Sequence, residues 1–431
     1  MKGPRGGLLR SRDFRLLWTG ETTSRLGSNI TGVAMPLVAV VTLHASAFWV
    51  SVLAAAAWIP WLLIGLPAGA WVDRMRRRPL MVACDIGSLL LLASVPVAAW
   101  LGVLTLAQLL IVELLVGLAG MFFSIAYRVY LPAVVAREDL PEANAKLQGS
   151  ESAAQVAGLG AGGLLAGIFG AVSGLLADAV TFLVSALCLL GIRADEPRPE
   201  RPAGRRALGS EIKEGVLFTV RDPYLRVLTT YGTVTNLLLS AYQALLTVFM
   251  VRELSVGVAE VGWLLAGGSV GGMLGAMAAR PLARRMGTAR AMLACKLATA
   301  PFGLLIPLAG TGWQVILLSL GNAVLALGVV CVNVIQAPFR QQYCPPEMLG
   351  RISASGSVAN FGAIPAGSLL GGVVATALGL RPALWVLTSV LAVSSLLLLA
   401  RPLRGRRDLP TEPPASREPA AQPSVAVPQH T

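Results

Sequence analysis

The chain has 431 residues, of which 55% are hydrophobic and only 13% are charged, and its mean hydropathy is +0.70. Soluble domains carry about a quarter charged residues, so this composition excludes an ordinary soluble protein and indicates an integral membrane protein. The net charge of +13 does not indicate nucleic-acid binding, because the basic residues cluster at the ends of apolar segments, where they act as orientation signals.

Twelve apolar segments, each about 20 residues or longer, follow one another along the chain and are separated by short polar breaks. None alternates apolar and polar residues as a transmembrane strand does, so we predict an all-α integral membrane protein with twelve transmembrane helices. The predicted spans, in order, cover residues 16–43, 49–72, 79–101, 103–127, 150–170, 173–193, 224–251, 259–281, 289–309, 313–336, 352–378 and 382–400.

The basic residues are distributed unequally between the two sets of loops. They concentrate in the loops after spans 2, 4, 6, 8 and 10, whereas the opposite loops contain only Arg252 and Arg381. Because the cytoplasmic loops of membrane proteins are enriched in Lys and Arg, we expect both termini in the cytoplasm and the chain in the cell membrane.

The longest internal polar stretch, residues 194–222, divides the spans six and six. Its second part has Ile212, Val216 and Val220 on one helical face, which predicts a short amphipathic helix on the membrane surface. Beyond Arg401 the sequence is rich in Pro, Glu, Arg and Ala, which is typical of disorder. The predicted domains are an N-terminal six-helix bundle (1–193), a cytoplasmic linker (194–222), a C-terminal six-helix bundle (223–401) and a disordered cytoplasmic tail (402–431).

A weak internal repeat relates the two predicted halves. Asp13, just before span 1, recurs 209 residues later as Asp222, just before span 7. The same offset relates Gly158, Gly162 and Gly163 of span 5 to Gly367, Gly371 and Gly372 of span 11. We interpret these six glycines as sites of close helix contact; the alternative is ligand binding. The repeat predicts two pseudo-symmetric six-helix bundles related by an axis along the membrane normal.

Residues that bind metals or perform catalysis are scarce. The five cysteines form no CxxC pair, and the two histidines lie in a predicted loop (His44) and in the tail (His430). No Gly-x-x-x-x-Gly-Lys-Ser/Thr phosphate loop occurs in the chain. We therefore expect a protein that is not an enzyme, with no catalytic residues, no metal site and no cofactor.

The strongest local signal is the end of span 2, where four arginines follow an apolar segment within five residues. Gly69 and Asp73 share one helix face, so a neighbouring helix can approach closely beside a carboxylate. We predict a gating latch whose ion pairs form in one conformation and break in another; the alternative is a basic anchor loop that only orients the protein. The predicted latch comprises Gly69, Asp73, Arg74, Arg77, Arg78 and, at the end of span 4, Arg128.

This loop resembles a signature of the major facilitator superfamily, Gly-x-x-x-Asp-Arg-x-Gly-Arg-Arg/Lys, except that Arg76 replaces the second glycine. The stretch 158–163 resembles the antiporter signature of span 5, Gly-Pro-x-x-Gly-Gly, except that Leu159 replaces the proline. Stretches beginning at Asp13, Asp178 and Pro346 resemble the macrolide-efflux-like branch of drug exporters. The resemblance covers about residues 10–402 and implies the major facilitator fold and export by alternating access.

Two carboxylates inside predicted spans are candidates for proton coupling. Glu113 lies near the bilayer midplane, where a charge costs about 3 kcal/mol, so it should face a cavity or be protonated. Asp178 lies near the external end of span 6. The alternatives are a protonated glutamate bonded to a neighbouring helix and a helix-packing carboxylate, respectively. Asp85 and Lys296 are shallow enough to reach the cytoplasm or a neighbour and are not predicted as site residues.

Polar and aromatic side chains in mid-span predict the lining of a substrate cavity. The two tryptophans that flank Pro60 offer aromatic surface to an apolar or cationic ligand, and lipid-facing packing is the alternative. For the amides the alternative is hydrogen bonding between helices. The candidate cavity residues are Asn29, Trp58, Trp61, Asn236, Gln243, Asn322 and Asn333.

The leading hypothesis is a secondary active exporter of amphipathic small molecules, coupled to protons by antiport. The second hypothesis is an uncoupled facilitator or a carrier of lipid-like substrates, which the leucine at position 159 suggests. A membrane-embedded enzyme would need a nucleophile with a base or a metal site, and no predicted span contains a histidine for either. A non-transporting receptor would need a sizeable soluble domain, whereas the predicted tail has only about thirty residues. Both classes are therefore less favoured than a transporter. The expected partners are a small-molecule substrate, protons and the lipid bilayer, without nucleic acid, and the expected state is a monomer.

Overall fold

The computed structural model describes residues 8–194, 208–344 and 346–410. Over these ranges the chain contains helices and no strands, and twelve helical segments are long and apolar enough to cross a membrane. The predicted all-α fold with twelve transmembrane helices is therefore confirmed. Most of the predicted linker, 195–207, and the end of the predicted tail, 411–431, lie outside the described residues.

The spans have the following α-helical bounds. Span 1 is Arg12–Leu37, span 2 is Ala47–Ala56 followed by Ile59–Val72, span 3 is Arg77–Trp100, span 4 is Leu106–Val134, span 5 is Leu140–Phe169 and span 6 is Ser173–Gly191. Span 7 is Pro223–Arg252, span 8 is Val258–Met286, span 9 is Thr288–Thr299 followed by Leu305–Leu308, span 10 is Ile316–Tyr343, span 11 is Pro346–Leu378 and span 12 is Leu380–Ser394. The helix Leu208–Arg221, which we call the linker helix, precedes span 7.

Prolines change the local geometry of two spans in the first half. Span 2 is broken at Ala57 and Trp58, where the sequence predicted one continuous helix, because Pro60 has no backbone N–H for the preceding turn. Pro36 near the end of span 1 precedes a short π-helical segment, Val38–Thr42. Both irregularities lie within the bilayer region, so neighbouring helices must satisfy the freed carbonyl groups.

Several helices extend past their apolar segments at the end of the molecule that carries the termini. Span 4 continues to Val134, span 5 begins at Leu140 and span 10 continues to Tyr343, whereas the apolar content predicted borders at 127, 150 and 336. The added turns contain Glu, Lys, Gln and Arg, which form helices well and are solvated there. Hydropathy therefore measured the apolar length of these spans and underestimated their helical length.

The two halves pack their helices in the same way. Span 1 packs against spans 5 and 6, and span 2 packs against span 4. In the second half span 7 packs against spans 11 and 12, and span 8 packs against span 10. The halves meet where span 2 packs against span 11 and span 5 against span 8. This is a pair of pseudo-symmetric six-helix bundles, for which the sequence-based domain boundaries stay a prediction.

The buried apolar cores show where the two halves join and where they separate. Away from the termini one continuous core contains residues of both halves, for example Leu37 of span 1 and Phe249 of span 7. At the terminal end each half has its own core, one around Phe14 and Met81 and another around Met292. The space between these two separate cores opens the molecule toward the side of the termini.

The linker helix is present, as predicted, and extends over 208–221. Its residue Thr219 is buried, and the helix contacts spans 7 and 11. Val216 and Val220 are exposed. The exposed apolar face agrees with the predicted amphipathic pattern, and its contact with a membrane surface stays a prediction.

The beginning of the tail is ordered, which corrects the predicted disorder for residues 402–410. The carbonyl oxygen of Arg407 accepts a hydrogen bond from the backbone N–H of Ala289, and a carboxylate oxygen of Asp408 accepts one from the N–H of Thr288 at 2.8 Å. Leu409 is buried against the second half. The first turn of span 9 leaves N–H groups without helical partners, and this segment satisfies them. Composition missed the contact because it needs only one carbonyl, one carboxylate and an apolar anchor.

Candidate functional site

Glycines bring helices of the same half into backbone contact. A Cβ atom added at Gly162 of span 5 would lie 3.0 Å from the carbonyl oxygen of Ile30 on span 1. A Cβ atom added at Gly371 of span 11 would overlap the carbonyl oxygen of Ala241 on span 7. Gly158 and Gly367 make the equivalent contacts with spans 1 and 7 one turn earlier. The repeat in the sequence thus corresponds to a repeat in the packing.

The third glycine of each set faces the other half of the molecule. Gly163 packs against Gly262, so that a Cβ atom there would lie 2.7 Å from the Gly262 nitrogen. A Cβ atom at Gly372 would lie 2.7 Å from the Cβ of Ser51 on span 2. Spans 5 and 11 begin at the terminal end, so both contacts lie toward the opposite end, which they close.

An arginine supports the same closure. Arg252, at the end of span 7, donates a hydrogen bond from Nη2 to the carbonyl oxygen of Ala45 in the loop before span 2, at 2.7 Å. Arg381 instead pairs with Glu253 of its own half at 3.2 Å. These are the two basic residues of the opposite loops, which sequence analysis used only to infer orientation. Because basic residues are rare in the loops opposite the termini, the presence of these two arginines there already indicated a structural role.

Between the halves lies a central cavity of about 860 Å³. Spans 1, 2, 5, 7, 8, 10 and 11 all contribute to its wall. Its size falls within the range of about 300–1,000 Å³ that is typical of small-molecule sites. The central cavity lies between the continuous core and the space that separates the two terminal cores. It is therefore accessible from the terminal end of the molecule and closed at the opposite end.

The wall of the central cavity is apolar with scattered neutral polar groups. Apolar side chains such as Leu265 and Met273 provide much of it. None of its lining residues among the described part of the chain is charged. The neutral polar side chains are those of Gln148, Ser152, Gln155, Ser240, Gln243, Thr247, Ser269, Asn322 and Ser368. Such a wall suits an amphipathic molecule that needs apolar contact and a few hydrogen bonds.

Three of the predicted cavity residues line the central cavity, namely Trp58, Gln243 and Asn322. Trp58 stacks on Phe361 of the other half with ring centroids 6.1 Å apart. Asn322 accepts a hydrogen bond from the hydroxyl of Tyr242 at 3.1 Å, which fixes its orientation. The break in span 2 positions Trp58 at the wall, a detail that no pattern in the sequence specified.

The other four predicted cavity residues lie elsewhere. Asn29 donates to the carbonyl oxygen of Arg25 at 2.7 Å, and its Cβ touches the backbone at Gly158, so it serves helix packing. Trp61 contacts Phe361, with centroids 4.8 Å apart, without lining the central cavity. The remaining two, Asn236 and Asn333, line a second, smaller pocket in the second half.

Neither predicted coupling carboxylate lines the central cavity. Asp178 is 1% exposed and accepts hydrogen bonds from Thr31 at 2.6 Å and from Thr181 at 2.9 Å. Because Thr31 is on span 1 and Asp178 on span 6, this carboxylate links two helices of the same half. The geometry is that of the helix-packing alternative.

Glu113 lies beside the break in span 2. It is four residues before Gly117 and therefore on the same face of span 4, and a Cβ atom at Gly117 would overlap the carbonyl oxygen of Ala57. The Oε2 atom of Glu113 is buried and has no hydrogen-bond partner among the described residues. An unsatisfied carboxyl oxygen in the membrane is costly, so its position beside the break in span 2 is a functional signal.

Of the two expectations for Asp85 and Lys296, reach to the cytoplasm is not seen, because Asp85 is 1% exposed and Lys296 is fully buried. Asp85 instead reaches a neighbouring span, where Ser185 lies beside its carboxylate. The ammonium nitrogen of Lys296 has no hydrogen-bond partner among the described residues. Hydropathy could not reveal this because depth in a bundle depends on which helices cover a side chain, not on its distance from the membrane edge.

The predicted latch residues lie around the terminal end of the first half. Arg78 donates to the carbonyl oxygens of Leu189 and Leu190 at 2.8 and 2.5 Å, which ties the start of span 3 to the end of span 6. A Cβ atom at Gly69 would meet open space, so no helix of the described chain approaches that face here. Arg128 is exposed. The role of Asp73, Arg74, Arg77 and Arg128 as a gating latch stays a prediction.

Two bundles of six helices around a cavity that is open on one side define a membrane carrier of the major facilitator type. The sequence profile of the transmembrane secretion effector family matches residues 7–428. The chain belongs to this family, which is part of the major facilitator superfamily.

Relatives and solved structures agree with this family. The chain is 28% identical over 413 residues to the multidrug efflux pump Tap of Mycolicibacterium fortuitum, covering 92% of this chain and 98% of the relative. It is 26% identical over 386 residues to an uncharacterized transporter of the superfamily, YfiS of Bacillus subtilis, covering 86% of each.

Among solved structures, the nucleoside transporter NupG aligns with a TM-score of 0.71 at 13% identity, covering 90% of this chain and 98% of that one. A bacterial homologue of the iron transporter ferroportin aligns with a TM-score of 0.72 at 16% identity in its inward-facing state, covering 93% of this chain and 100% of that one. A structure of a bacterial homologue of ferroportin in its outward-facing state aligns with a TM-score of 0.58 at 18% identity, covering 90% of this chain and 98% of that one. At these identities the likeness concerns the fold alone.

Proposed function

We propose that this chain exports amphipathic small molecules across the cell membrane by alternating access of its two halves. One observation carries the proposal: a central cavity of about 860 Å³ lies between the halves, open at the terminal end and closed at the other. Relatives named as multidrug efflux pumps, matched over 92% of this chain, support export of drug-like molecules.

The orientation follows from the charge of the loops. Basic residues concentrate in the loops on the side of the termini, and the opposite side has Arg252 and Arg381, which are engaged in structural contacts. By the positive-inside rule the terminal side is cytoplasmic. The conformation described above is then inward-facing and ready to take up substrate from the cytoplasm or the inner leaflet.

The substrates are molecules with apolar surface and few strong polar groups. Charged side chains are absent from the described lining of the central cavity, so it selects by shape, apolar contact and weak hydrogen bonds. Trp58, held by its stacking on Phe361, offers an aromatic face to a planar or cationic ring. Such a wall accepts many ligands because no single strong contact is required.

We further propose that proton coupling acts through Glu113 and the break in span 2. Protonation would remove the charge from a buried carboxyl group whose Oε2 lacks a partner beside Ala57. Trp58, the next residue after Ala57, lines the central cavity. A change at Glu113 is thereby transmitted to the cavity wall through one turn of span 2, although Glu113 does not touch the substrate.

The test is substrate-dependent proton movement in proteoliposomes that contain the full-length protein, with Glu113→Gln compared with the wild type. We expect proton flux on addition of a fluorescent amphipathic dye in the wild type and none in Glu113→Gln. The matched control is Glu138→Gln, because Glu138 is an exposed carboxylate outside the spans and its loss should leave the flux unchanged.

Transport that proceeds in Glu113→Gln at the wild-type rate, without dependence on a pH gradient, would contradict proton coupling through Glu113. The uncoupled facilitator would then be the better description. Absence of any dye transport by the wild type, with correctly inserted protein, would contradict the exporter itself.

A further inference from the structure

The second half contains a polar pocket that the export mechanism above does not use. It has a volume of about 290 Å³ and lies between spans 7, 10 and 11; we call it the amide pocket. Tyr231, Thr235, Asn333, Gln336 and Arg340 are among the residues that line it. On span 10 it is next to the central cavity, whose wall includes the neighbouring residues 330 and 334.

The polar atoms in the amide pocket are incompletely paired. Tyr231, Thr235 and Gln336 are 3%, 4% and 6% exposed. The hydroxyl groups of Tyr231 and Thr235 interact with each other, whereas the Nε2 atom of Gln336 is buried and makes no hydrogen bond within the described chain. Buried polar groups are nearly always paired, so an unpaired amide donor in the same space as a guanidinium group indicates a ligand.

The charges around the amide pocket are positive. The guanidinium-bearing Arg340 belongs to its lining, and no lining residue of the described chain is acidic. Lys296 lies behind the ring of Tyr231, with its ammonium nitrogen 6.0 Å from the ring centroid and without a hydrogen-bond partner. A ligand that supplies acceptor oxygens and negative charge would pair with the Gln336 amide and with Arg340, and Lys296 would attract it from behind the ring without touching it.

We propose that the amide pocket binds an oxyanionic group, a carboxylate or a phosphate, of the transported molecule. The volume corresponds to roughly ten water molecules of about 30 Å³ each, which is more room than one small ion needs. The apolar part of the same molecule occupies the adjacent central cavity. This inference rests on the proposed function and names a substrate class within it: amphipathic molecules with one acidic group, including zwitterions.

The test measures binding without transport, so failure of export does not decide it. Purified full-length protein in nanodiscs of zwitterionic lipid is titrated with a xanthene dye that carries a free carboxylate, and with the methyl ester of the same dye, by fluorescence anisotropy. We expect the acid to bind the wild type about tenfold more tightly than the ester, as one charge-assisted contact allows. Gln336→Leu should reduce this ratio to about one while the ester still binds, and Lys296→Met, which acts through the ring of Tyr231, should reduce it by a smaller factor.

Two controls keep the interpretation sharp. Gln243→Leu changes the central cavity instead of the amide pocket, so it should weaken both dyes by the same factor and leave the ratio at about ten. Lys296→Arg keeps the positive charge and should retain most of the ratio if Lys296→Met unfolds. Retained ester binding shows that a variant is folded.

Equal affinity of the acid and the ester for the wild type would overturn the proposal, as would an unchanged ratio in Gln336→Leu. Loss of the acid preference in nanodiscs of anionic lipid would assign the amide pocket to a lipid head group and overturn the substrate assignment. Competition of the acid dye by millimolar inorganic phosphate would support oxyanion recognition.

Discussion

The two halves of this molecule share their helix packing and differ in the charges that they bury. Span 3 begins at Arg77 and span 9 at Thr288, so Asp85 and Lys296 lie equally far into these two helices, each eight residues after the start (85 against 77 and 296 against 288). Both side chains are buried; Ser185 lies beside the Asp85 carboxylate, whereas the ammonium nitrogen of Lys296 has no hydrogen-bond partner in the described chain. At a matching depth in corresponding helices, one half holds a carboxylate and the other an ammonium group.

This difference separates what the fold requires from what it tolerates. Backbone contact between spans 5 and 1, and between spans 11 and 7, leaves no room for a side chain, so both halves keep glycine at the same offset. A buried charge without a partner lowers stability and serves no packing purpose. The two proposals above place proton coupling on a carboxyl group of the first half and recognition of an anionic group beside cationic side chains of the second half.

The largest effect is expected where the shared packing is tightest. Gly371→Ala should lower the free energy of unfolding by about 3 kcal/mol, because the new Cβ would overlap the carbonyl oxygen of Ala241. The equivalent Gly162→Ala should cost only about 1 kcal/mol, since its Cβ would lie 3.0 Å from the Ile30 oxygen. Unfolding by dodecyl sulfate in mixed micelles measures both.

The control for this pair is Gly120→Ala, because a Cβ atom there would meet open space, and its expected effect is within about 0.5 kcal/mol. Equal costs for the two halves would mean that the helices adjust, and that the packing is less strictly imposed than the distances indicate.

Effects of opposite sign are expected for the buried charged groups. Asp178→Asn should destabilise the protein by about 2 kcal/mol, because the amide cannot accept from both Thr31 and Thr181 as the carboxylate does. Lys296→Met should stabilise it by about 1 kcal/mol, since it removes a charge that lacks a hydrogen-bond partner, and Asp85→Asn should stabilise it by less, since Ser185 interacts with that carboxylate. The same micelle titration gives all three values, and destabilisation by Lys296→Met would show that Lys296 is satisfied in the folded protein.

A smaller effect is expected at the closure between the halves. Arg252→Ala removes the hydrogen bond to the carbonyl of Ala45, and we expect it to weaken the inward-facing state by about 1 kcal/mol, a shift of about fivefold in population. Pulsed electron paramagnetic resonance between spin labels at positions 138 and 284, in a cysteine-free background, reports the opening on the terminal side.

Arg381→Ala is the matched control for this shift, because Arg381 pairs with Glu253 and with carbonyl groups of its own half. It should leave the distance distribution unchanged. An equal shift in both variants would mean that the end of the second half, and not the contact between halves, sets the equilibrium.

The fold was accessible from the sequence because a bilayer permits few solutions. Apolar length located the twelve spans, and the 209-residue offset between the glycines of spans 5 and 11 revealed the repeat. The pair Asp13 and Asp222, which has the same offset, is not equivalent in the structure, because Asp13 lies inside span 1 and Asp222 precedes span 7. A Cβ atom added at any of the six glycines would meet a neighbouring helix. Only the structure shows which helix each glycine contacts, because the offset relates a position in one half to a position in the other and says nothing about which helices are in contact.

The site was only partly accessible, because its composition depends on side-chain direction. Gln243 and Asn322 line the central cavity, whereas Asn29, with a similar depth and chemistry, turns to the backbone of its own helix. The break at Trp58 and the burial of Lys296 arise from contacts between distant spans, and no local pattern records them. Polar side chains in the middle of the predicted spans therefore indicated that a cavity exists, but not which residues line it.

The contact between Gly163 and Gly262 has a genetic consequence. Because a Cβ atom at Gly163 would lie 2.7 Å from the backbone of Gly262, the two positions cannot vary independently. Revertants selected from a Gly163→Ala strain should therefore arise in span 8, on the other side of the molecule, more often than within span 5. Pairwise epistasis should therefore be strong between residues of the two halves at the closed end, where the halves are in contact. It should be absent between the two separate cores at the terminal end.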